Sequence, residues 1–148
     1  MPDPVQDRGW HEMTYALLPH EGDWRNDVPE NGYDLNFPVL CRSISGGQGE
    51  AALHQLVAVS AFNVVVETVK RAEDGRGLIV RLYENERNRG PVRLRFGIDV
   101  AEVRRCTILE EDGQVMAVSG NAVTLDLRPY EIVSLRVIPR GAGVFGEQ

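Results

Sequence analysis

The alternation of apolar and polar side chains is clearest between Val64 and Glu84. A valine-rich arm, Val64–Lys70, leads into a polar cluster from Glu73 to Gly77, and a second arm follows this cluster. Alternation at a period of two places successive side chains on opposite faces of a strand. The stretch therefore predicts a β-hairpin. The positions of its second strand expected to face a core are Leu78, Val80 and Leu82.

The same alternation recurs in later segments and predicts further strands. The other positions expected in the core are Val92, Leu94 and Phe96; Val123, Leu125 and Leu127; and Val133, Leu135 and Val137. Additional strands are expected at Trp10–Leu18, for which a short helix is the alternative, and at Phe37–Ser43, Gln55–Ser60 and Arg104–Leu109. Val115–Val118 is expected to form a hairpin with Val123–Leu127. Eight or nine short strands without a convincing amphipathic helix are typical of an antiparallel β-sandwich, so the predicted fold class is all-β.

The length of the chain bears on its domain organisation. A chain of 148 residues predicts one domain with a sizeable core. We expect a linker over residues 1–8, a single β-sandwich domain over residues 9–139 and a flexible tail over residues 140–148. Prolines and glycines are dense between Pro19 and Gln55, and so long a loop inside a compact domain is often functional.

Charge and composition exclude several classes of partner. The net charge of -6 and the pI near 5.1 argue against nucleic acid, because phosphate binding needs a basic surface. No apolar run approaches the ~20 residues that span a bilayer, so no membrane partner is expected. Two cysteines are too few for a disulfide framework, and the chain has neither an N-x-S/T sequon nor a recognisable signal peptide. These features favour a cytoplasmic location.

The residues supply no recognisable catalytic or metal site. None of the three histidines pairs with another histidine or a cysteine at the spacing of metal ligands. The carboxylate clusters lie at predicted turns, where solvated acids are expected, and no serine occupies a GxSxG elbow. The sequence therefore assigns no catalytic residue and no metal ligand to this chain.

Two surfaces are nevertheless candidates for contact with another domain. The loop Pro19–Arg25 follows a predicted strand and combines a histidine, carboxylates, an indole and a guanidinium. Tryptophan and arginine are enriched at interface hot spots, so we expect this loop to lie at a domain seam; the alternative is that Trp24 fills the core of its own domain. The second surface is the face of the central hairpin opposite the core, where isoleucine and tyrosine are unexpected if the face is fully solvated. The candidate interface residues there are Ile79, Arg81 and Tyr83.

Four segments match one known family in the same order. They are DRGWHEMTYALLPHEGDW (Asp7–Trp24), YDLNFP (Tyr33–Pro38), ETVKRAEDGRGLIVRLYE (Glu67–Glu84) and RPYEIVSLRV (Arg128–Val137). Together they resemble the C-terminal β-domain of the α-mannosidases of glycoside hydrolase family 38. Met13 stands where that family usually has phenylalanine, and Ser134 where it often has threonine; both differences are mild.

The resemblance implies a parent enzyme of a definite kind. That enzyme would be a retaining exo-α-mannosidase that holds the sugar hydroxyls with zinc and forms a covalent glycosyl-enzyme. In the family, the zinc ligands and the aspartate nucleophile lie in N-terminal domains. No catalytic residue is therefore carried over to this chain, and no cofactor is expected in it.

The same resemblance implies the role and the partners of this chain. It would be a non-catalytic accessory domain that contacts the upstream catalytic domain of the same polypeptide and meets the mannoside substrate only through the parent. The residues of the first loop that would lie near the sugar are His20, Asp23, Trp24 and Arg25. The alternative is a free-standing carbohydrate-binding β-sandwich, which the aromatic content of 7% does little to support.

Overall fold

The computed structural model describes residues 8–43 and 54–141. The chain divides into two compact units, Met1–Gly47 and Gln48–Gln148. The described part of the first unit contains the helix α1 (Val28–Asn36). All the strands of the described residues lie in the second unit.

The second unit is built from eight short strands in its described part. They are β1 (Val57–Val59), β2 (Val64–Arg71), β3 (Leu78–Glu84), β4 (Gly90–Phe96), β5 (Val100–Cys106), β6 (Asp112–Met116), β7 (Ala122–Leu127) and β8 (Ile132–Pro139). They form a three-stranded sheet in the order β1-β4-β7 and a five-stranded sheet in the order β2-β3-β8-β5-β6. Every pair of neighbouring strands is antiparallel, which confirms the predicted all-β antiparallel sandwich.

The core of this unit is formed by the alternate apolar side chains of both sheets. Every position predicted to face the core is buried, and all of them belong to one hydrophobic cluster. The cluster also contains Val64, Val100 and Val103. Burial of one face of each sheet is the interaction that holds the two sheets together.

The central hairpin is present as predicted. β2 and β3 pair from Val64 and Glu84 at one end to Arg71 and Leu78 at the other. Gly77 closes the turn with φ 82°, and a Cβ atom at this position would strike the carbonyl oxygen of Val137. Only glycine fits both the backbone conformation and the close approach of β8.

The predicted hairpin between Val115–Val118 and Val123–Leu127 is wrong. β6 pairs with β5, whereas β7 pairs with β4, so the chain crosses from one sheet to the other between these two strands. Strands that pair and strands that separate both bury one face, so alternation alone does not distinguish them. The strand predicted at Arg104–Leu109 is also displaced, because β5 ends at Cys106 and the residues that follow form a loop.

The strands predicted at Trp10–Leu18 and Phe37–Ser43 are absent. The first unit instead contains helix α1, which lies between these two segments in a stretch predicted to be irregular. Pro29 lies in the first turn of this helix, where its missing N–H is tolerated. The residue after the helix, Phe37, has a non-helical φ of -128° because it precedes Pro38, which disfavours helical backbone.

The predicted boundaries of linker, domain and tail stay a prediction. Residues 1–7 and 142–148 lie outside the described residues. Among residues 8–43 and 54–141, no helix has both the length and the apolar character needed to cross a bilayer. The cytoplasmic location also stays a prediction.

Replacement of a core leucine tests the packing of the sandwich. Leu82 is completely buried, so Leu82→Ala should lower the free energy of unfolding by about 2–5 kcal/mol, through lost burial and a residual cavity. Ile132 is 64% exposed, and Ile132→Ala should change this free energy by only about 0.5 kcal/mol. Urea denaturation measures both variants, and equal losses would contradict the assigned core.

Candidate functional site

The loop Pro19–Arg25 brings three of its four predicted site residues into contact. Oδ2 of Asp23 lies 2.6 Å from Nη1 of Arg25, and Oδ1 accepts the backbone N–H of Arg25 at 2.9 Å. The guanidinium carbon of Arg25 lies 4.9 Å from the centroid of the Trp24 ring, within the range of a cation–π interaction. His20 instead contacts the backbone oxygen of Glu21, with Nδ1 and O 3.2 Å apart.

The arrangement of Asp23, Trp24 and Arg25 is suited to contact with another surface. Trp24 is 42% exposed, so it does not fill a core in the described structure. The ion pair between Asp23 and Arg25 is also exposed, and exposed ion pairs contribute little to stability. The carboxylate instead orients the guanidinium beside the exposed indole.

The second predicted surface, on the outer face of the five-stranded sheet, is partly covered. Ile79 has no exposed surface. It pairs with Lys70 on β2 and with Arg136 on β8, and both of these cations bind Glu110 of the loop between β5 and β6. This loop therefore crosses over Ile79. The prediction that Ile79 needs another polypeptide for its burial is corrected, because its own unit buries it.

Arg136 fastens this loop to the sheet. Its Nε donates to Oδ1 of Asp112 at 2.6 Å, and its Nη2 donates to the carbonyl oxygen of Glu110 at 2.7 Å. Nη1 donates to Oδ1 of Asp74 at 2.8 Å and to the carbonyl oxygen of Arg76 at 2.9 Å. The guanidinium is almost fully buried, and it joins the turn between β2 and β3 to the loop between β5 and β6.

The other two members of the predicted interface, Arg81 and Tyr83, are half-buried. Nε of Arg81 donates to Oγ of Ser134 at 3.1 Å, and its Nη2 donates to the carbonyl oxygen of Ile108 at 3.3 Å. Tyr83 pairs with the half-buried Val65 on one side and the exposed Ile132 on the other. An apolar row across three strands thus remains accessible at the end of the sheet beyond Arg81.

A buried carboxylate, that of Glu84, organises one end of the sandwich. Although Glu84 ends β3, its side chain points inward and is 1% exposed. Its two oxygens accept five hydrogen bonds of 2.8–3.0 Å. The donors are the side-chain amide of Asn63 and the backbone N–H groups of Glu86, Arg87, Asn88 and Tyr130. One carboxylate therefore connects the ends of three different loops.

The environment of Glu84 favours the charged form. Burial alone raises the pKa of the carboxyl, but the amide of Asn63 and the backbone donors lower it to about 2, from a usual value of 4.5. The pKa of Asp74 is also lowered to about 2, chiefly by the backbone N–H of Arg76 and also by Arg136. These carboxylates have the character of structural anchors, because their oxygens already have donors.

Sequence reasoning missed both Glu84 and Arg136. A signal for Glu84 exists, because it continues the inward series of Leu78, Val80 and Leu82 at a period of two. For Arg136 the alternation correctly indicates the outer face, but its acidic partners lie on two distant turns. Their convergence on one guanidinium is set by the tertiary structure.

The described residues offer no evident place for a metal ion. Across residues 8–43 and 54–141, no group of three histidine, cysteine, aspartate or glutamate side chains is arranged to hold one. Cys41 is exposed and Cys106 is half-buried, and both are free thiols. Burial raises the pKa of the Cys106 thiol, which makes it a poor nucleophile.

Comparison with known proteins gives a consistent family. Residues 63–135 match the family model described as the glycosyl hydrolases family 38 C-terminal beta sandwich domain. The chain is 34% identical over 143 residues to the alpha-mannosidase 2C1 of Homo sapiens, an alignment that covers 93% of this chain and 14% of that protein. It is 29% identical over 145 residues to the alpha-mannosidase G of Dictyostelium discoideum, covering 93% of this chain and 13% of that protein. The chain thus spans about one seventh of the length of these relatives.

Replacement of the buried carboxylate tests the Glu84 cluster. Glu84→Gln keeps the shape but removes the charge and turns an amide donor toward N–H donors, so the free energy of unfolding at pH 7 should fall by about 1.5–3 kcal/mol. Because the folded pKa is depressed to about 2, this stabilisation is present above pH 4.5 and is lost as the pH falls toward 2.

Urea denaturation between pH 7 and pH 2 measures this effect. The difference between wild type and Glu84→Gln should shrink over that lower pH range. Asp126→Asn also removes one carboxylate charge, at an exposed position of β7, and serves as the control. It should leave the free energy of unfolding nearly unchanged. A difference for Glu84→Gln that is constant with pH would contradict the assigned role.

Proposed function

Because the β-sandwich of this chain belongs to the C-terminal β-sandwich domains of glycosyl hydrolase family 38, we propose that the chain is a non-catalytic accessory domain of an α-mannosidase. The observation that carries this proposal is the pattern of coverage. Nearly the whole chain aligns with only a small part of relatives that are themselves named α-mannosidases. The remainder of such a parent is where we place the chemistry.

The proposed parent is a retaining enzyme that hydrolyses terminal α-mannosides and uses zinc to hold the sugar. The residues described here do not fit a zinc site, because they bring no three suitable ligands together. The charged groups that are buried in the sandwich, Glu84 and Arg136, are saturated with hydrogen bonds. The proposed contribution of this chain is therefore to support and position the catalytic domain of the same polypeptide.

We place the contact with the catalytic domain at the loop Pro19–Arg25. The exposed Trp24, with Arg25 stacked on it and oriented by Asp23, offers a large apolar face and fixed donors. Interface hot spots are rich in these two residue types because they exclude water over a large area and bind directionally. The apolar row of Val65, Tyr83 and Ile132 is a second proposed contact.

A carbohydrate-binding module is the second candidate function, and one feature favours it. A cavity of about 370 Å³ lies beside the Glu84 corner, and its lining includes the 81% exposed Phe62 with Asn63, Asn88 and Arg89. An aromatic ring beside amide and guanidinium groups is a combination that can contact a sugar. Saturable binding of mannose by the isolated chain, abolished by Phe62→Ala, would favour this candidate over the accessory role.

The activity of the isolated chain tests the first proposal. The purified chain of 148 residues should hydrolyse no aryl α-mannoside, with or without added zinc, because the groups for the chemistry lie elsewhere. The full-length parent, assayed in parallel, should hydrolyse it. Turnover that co-purifies with the isolated chain through several columns would refute the proposal.

Variants of the loop Pro19–Arg25 test its proposed contact with the catalytic domain. In the full-length parent, Trp24→Ala and Arg25→Ala should each weaken domain docking by about 2 kcal/mol, and activity should fall with it, because each removes a hot-spot side chain. The melting temperature of the isolated chain should barely move. Trp10→Ala removes an exposed indole of the same unit and is the matched control. If Trp24 instead fills a core, Trp24→Ala will destabilise the isolated chain by about 3–5 kcal/mol.

A further inference from the structure

The outer face of the three-stranded sheet carries two exposed guanidinium groups. Arg93 and Arg95 lie two residues apart on β4, the central strand, and point away from the core that Val92 and Leu94 enter. Both side chains are exposed. Among residues 8–43 and 54–141, neither guanidinium has a hydrogen-bonding or ion-pairing partner.

The neighbours of these arginines across the sheet are small. Arg95 stands between Ala58 on β1 and Ala122 on β7. Arg93 stands between Ser60, whose hydroxyl accepts its backbone N–H at 3.0 Å, and Thr124 on β7. None of these four neighbours is acidic and none is long enough to cover a guanidinium. The two guanidinium groups are therefore surrounded by small side chains, and another protein surface can approach them closely.

Arginines of the five-stranded sheet differ from Arg93 and Arg95 in their ion-pairing partners. On the five-stranded sheet several arginines form ion pairs within the unit, namely Arg104 with Glu102, Arg105 with Glu131 and Arg136 with Asp112. The chain as a whole is acidic, with a net charge of -6. Carboxylates are thus abundant, yet among residues 8–43 and 54–141 none forms an ion pair with Arg93 or Arg95; the nearest one by register on this face is the exposed Asp126, which stands opposite Pro91 and diagonal to Arg93.

We infer that the outer face of the three-stranded sheet, marked by Arg93 and Arg95, is a docking surface for an acidic patch on the remainder of the proposed parent polypeptide. This inference rests on the proposed function, since it takes its occupant from the parent. Charge complementarity identifies the chemistry of that occupant, because a guanidinium pairs with a carboxylate through two parallel hydrogen bonds. A protein patch is favoured over a nucleic acid, since the net negative charge of the chain repels an extended polyanion.

An apolar anchor adjoins this face. Phe62 is 81% exposed and lines the same cavity as Arg89, just before β4, and as Gly90 and Pro91, its first two residues. At the other end of the strand, Arg95 borders a cavity of about 560 Å³. The centres of protein interfaces are rich in aromatic residues and in arginines that lose their water on binding.

Labelling of arginine side chains in the full-length parent tests the inference. A dicarbonyl reagent such as phenylglyoxal, followed by peptide mass spectrometry, measures the modification rate of each arginine. Arg93 and Arg95 should be modified on the order of ten-fold more slowly in the parent than in the isolated chain, because paired and buried guanidinium groups are shielded. Arg140, an exposed arginine beyond β8, should react equally in both. Equal rates for Arg93 and Arg95 would overturn the inference.

Charge reversal provides a second measurement. The double variant Arg93→Glu/Arg95→Glu should lower the melting temperature of the parent at low salt, and the difference should shrink at about 1 M NaCl, where the Debye length is ~3 Å. The matched variant Arg42→Glu/Arg140→Glu replaces two other exposed arginines, changes the net charge equally and should have little effect. Equal effects of the two variants would count against the docking surface.

The two proposals fail in different ways. A full-length protein without α-mannosidase activity, but with Arg93 and Arg95 protected, would refute the proposed function and leave the docking surface in place. An active parent in which both arginines react freely would refute the docking surface alone. Protection that is lost when a nucleic acid is removed by nuclease would replace the protein occupant with a nucleic acid and overturn the inference.

Discussion

The buried guanidinium of Arg136 is the interaction on which the architecture of the five-stranded sheet depends. It lies on the face of the sheet that does not enter the core, yet four hydrogen bonds surround it. Burial disfavours its charge, but Asp74 and Asp112 more than compensate and raise its pKa. Arg136 binds both the turn between β2 and β3 and the loop between β5 and β6. The second of these contacts holds the loop over Ile79. A sheet of this size is thereby covered on one face by apolar packing and on part of the other by a polar network.

Much of the sandwich was predictable because alternation reports directly on burial. Every inward position named from the sequence is in the core. The resemblance is confirmed by the family model over residues 63–135 and by relatives named α-mannosidases that align with 93% of the chain. The pairing of β6 was not predictable, since alternation indicates which face is buried and not which strand lies alongside. The segment Trp10–Leu18 alternates in the same way, but its side chains are exposed and it forms no strand in the described structure. The helix was missed because Pro29 and Gly32 suggested a loop, although proline is compatible with a first turn.

The candidate surfaces show the same division between what is local and what is long-range. Contact among Asp23, Trp24 and Arg25 follows from their being neighbours in sequence, and the sequence had placed all three in one candidate loop. The coverage of Ile79 depends on Glu110, which is remote along the chain, so a side chain that alternation placed at an interface proved to be buried by its own unit. Ion pairs on the five-stranded sheet thus hold loops to it, whereas no residue in the described part of the chain forms an ion pair with Arg93 or Arg95 of β4.

The ion pair between Lys70 and Glu110, beside Ile79, also affects the chemistry of the side-chain amine in this chain. Lys70 is the sole lysine in the sequence, and its ammonium group pairs with both Glu110 and Glu73. The hydrogen bond that Lys70 donates to Glu110 is the largest of the effects that raise the pKa of Lys70, and it disfavours the neutral amine that reacts in acylation. Any acetyl, ubiquitin or cross-linker that joins a side-chain amine of this chain must attach at that one position and displace a glutamate to do so. Modification of Lys70 would therefore separate its ammonium group from Glu110 and would report on the contact between the hairpin and the loop that joins β5 to β6.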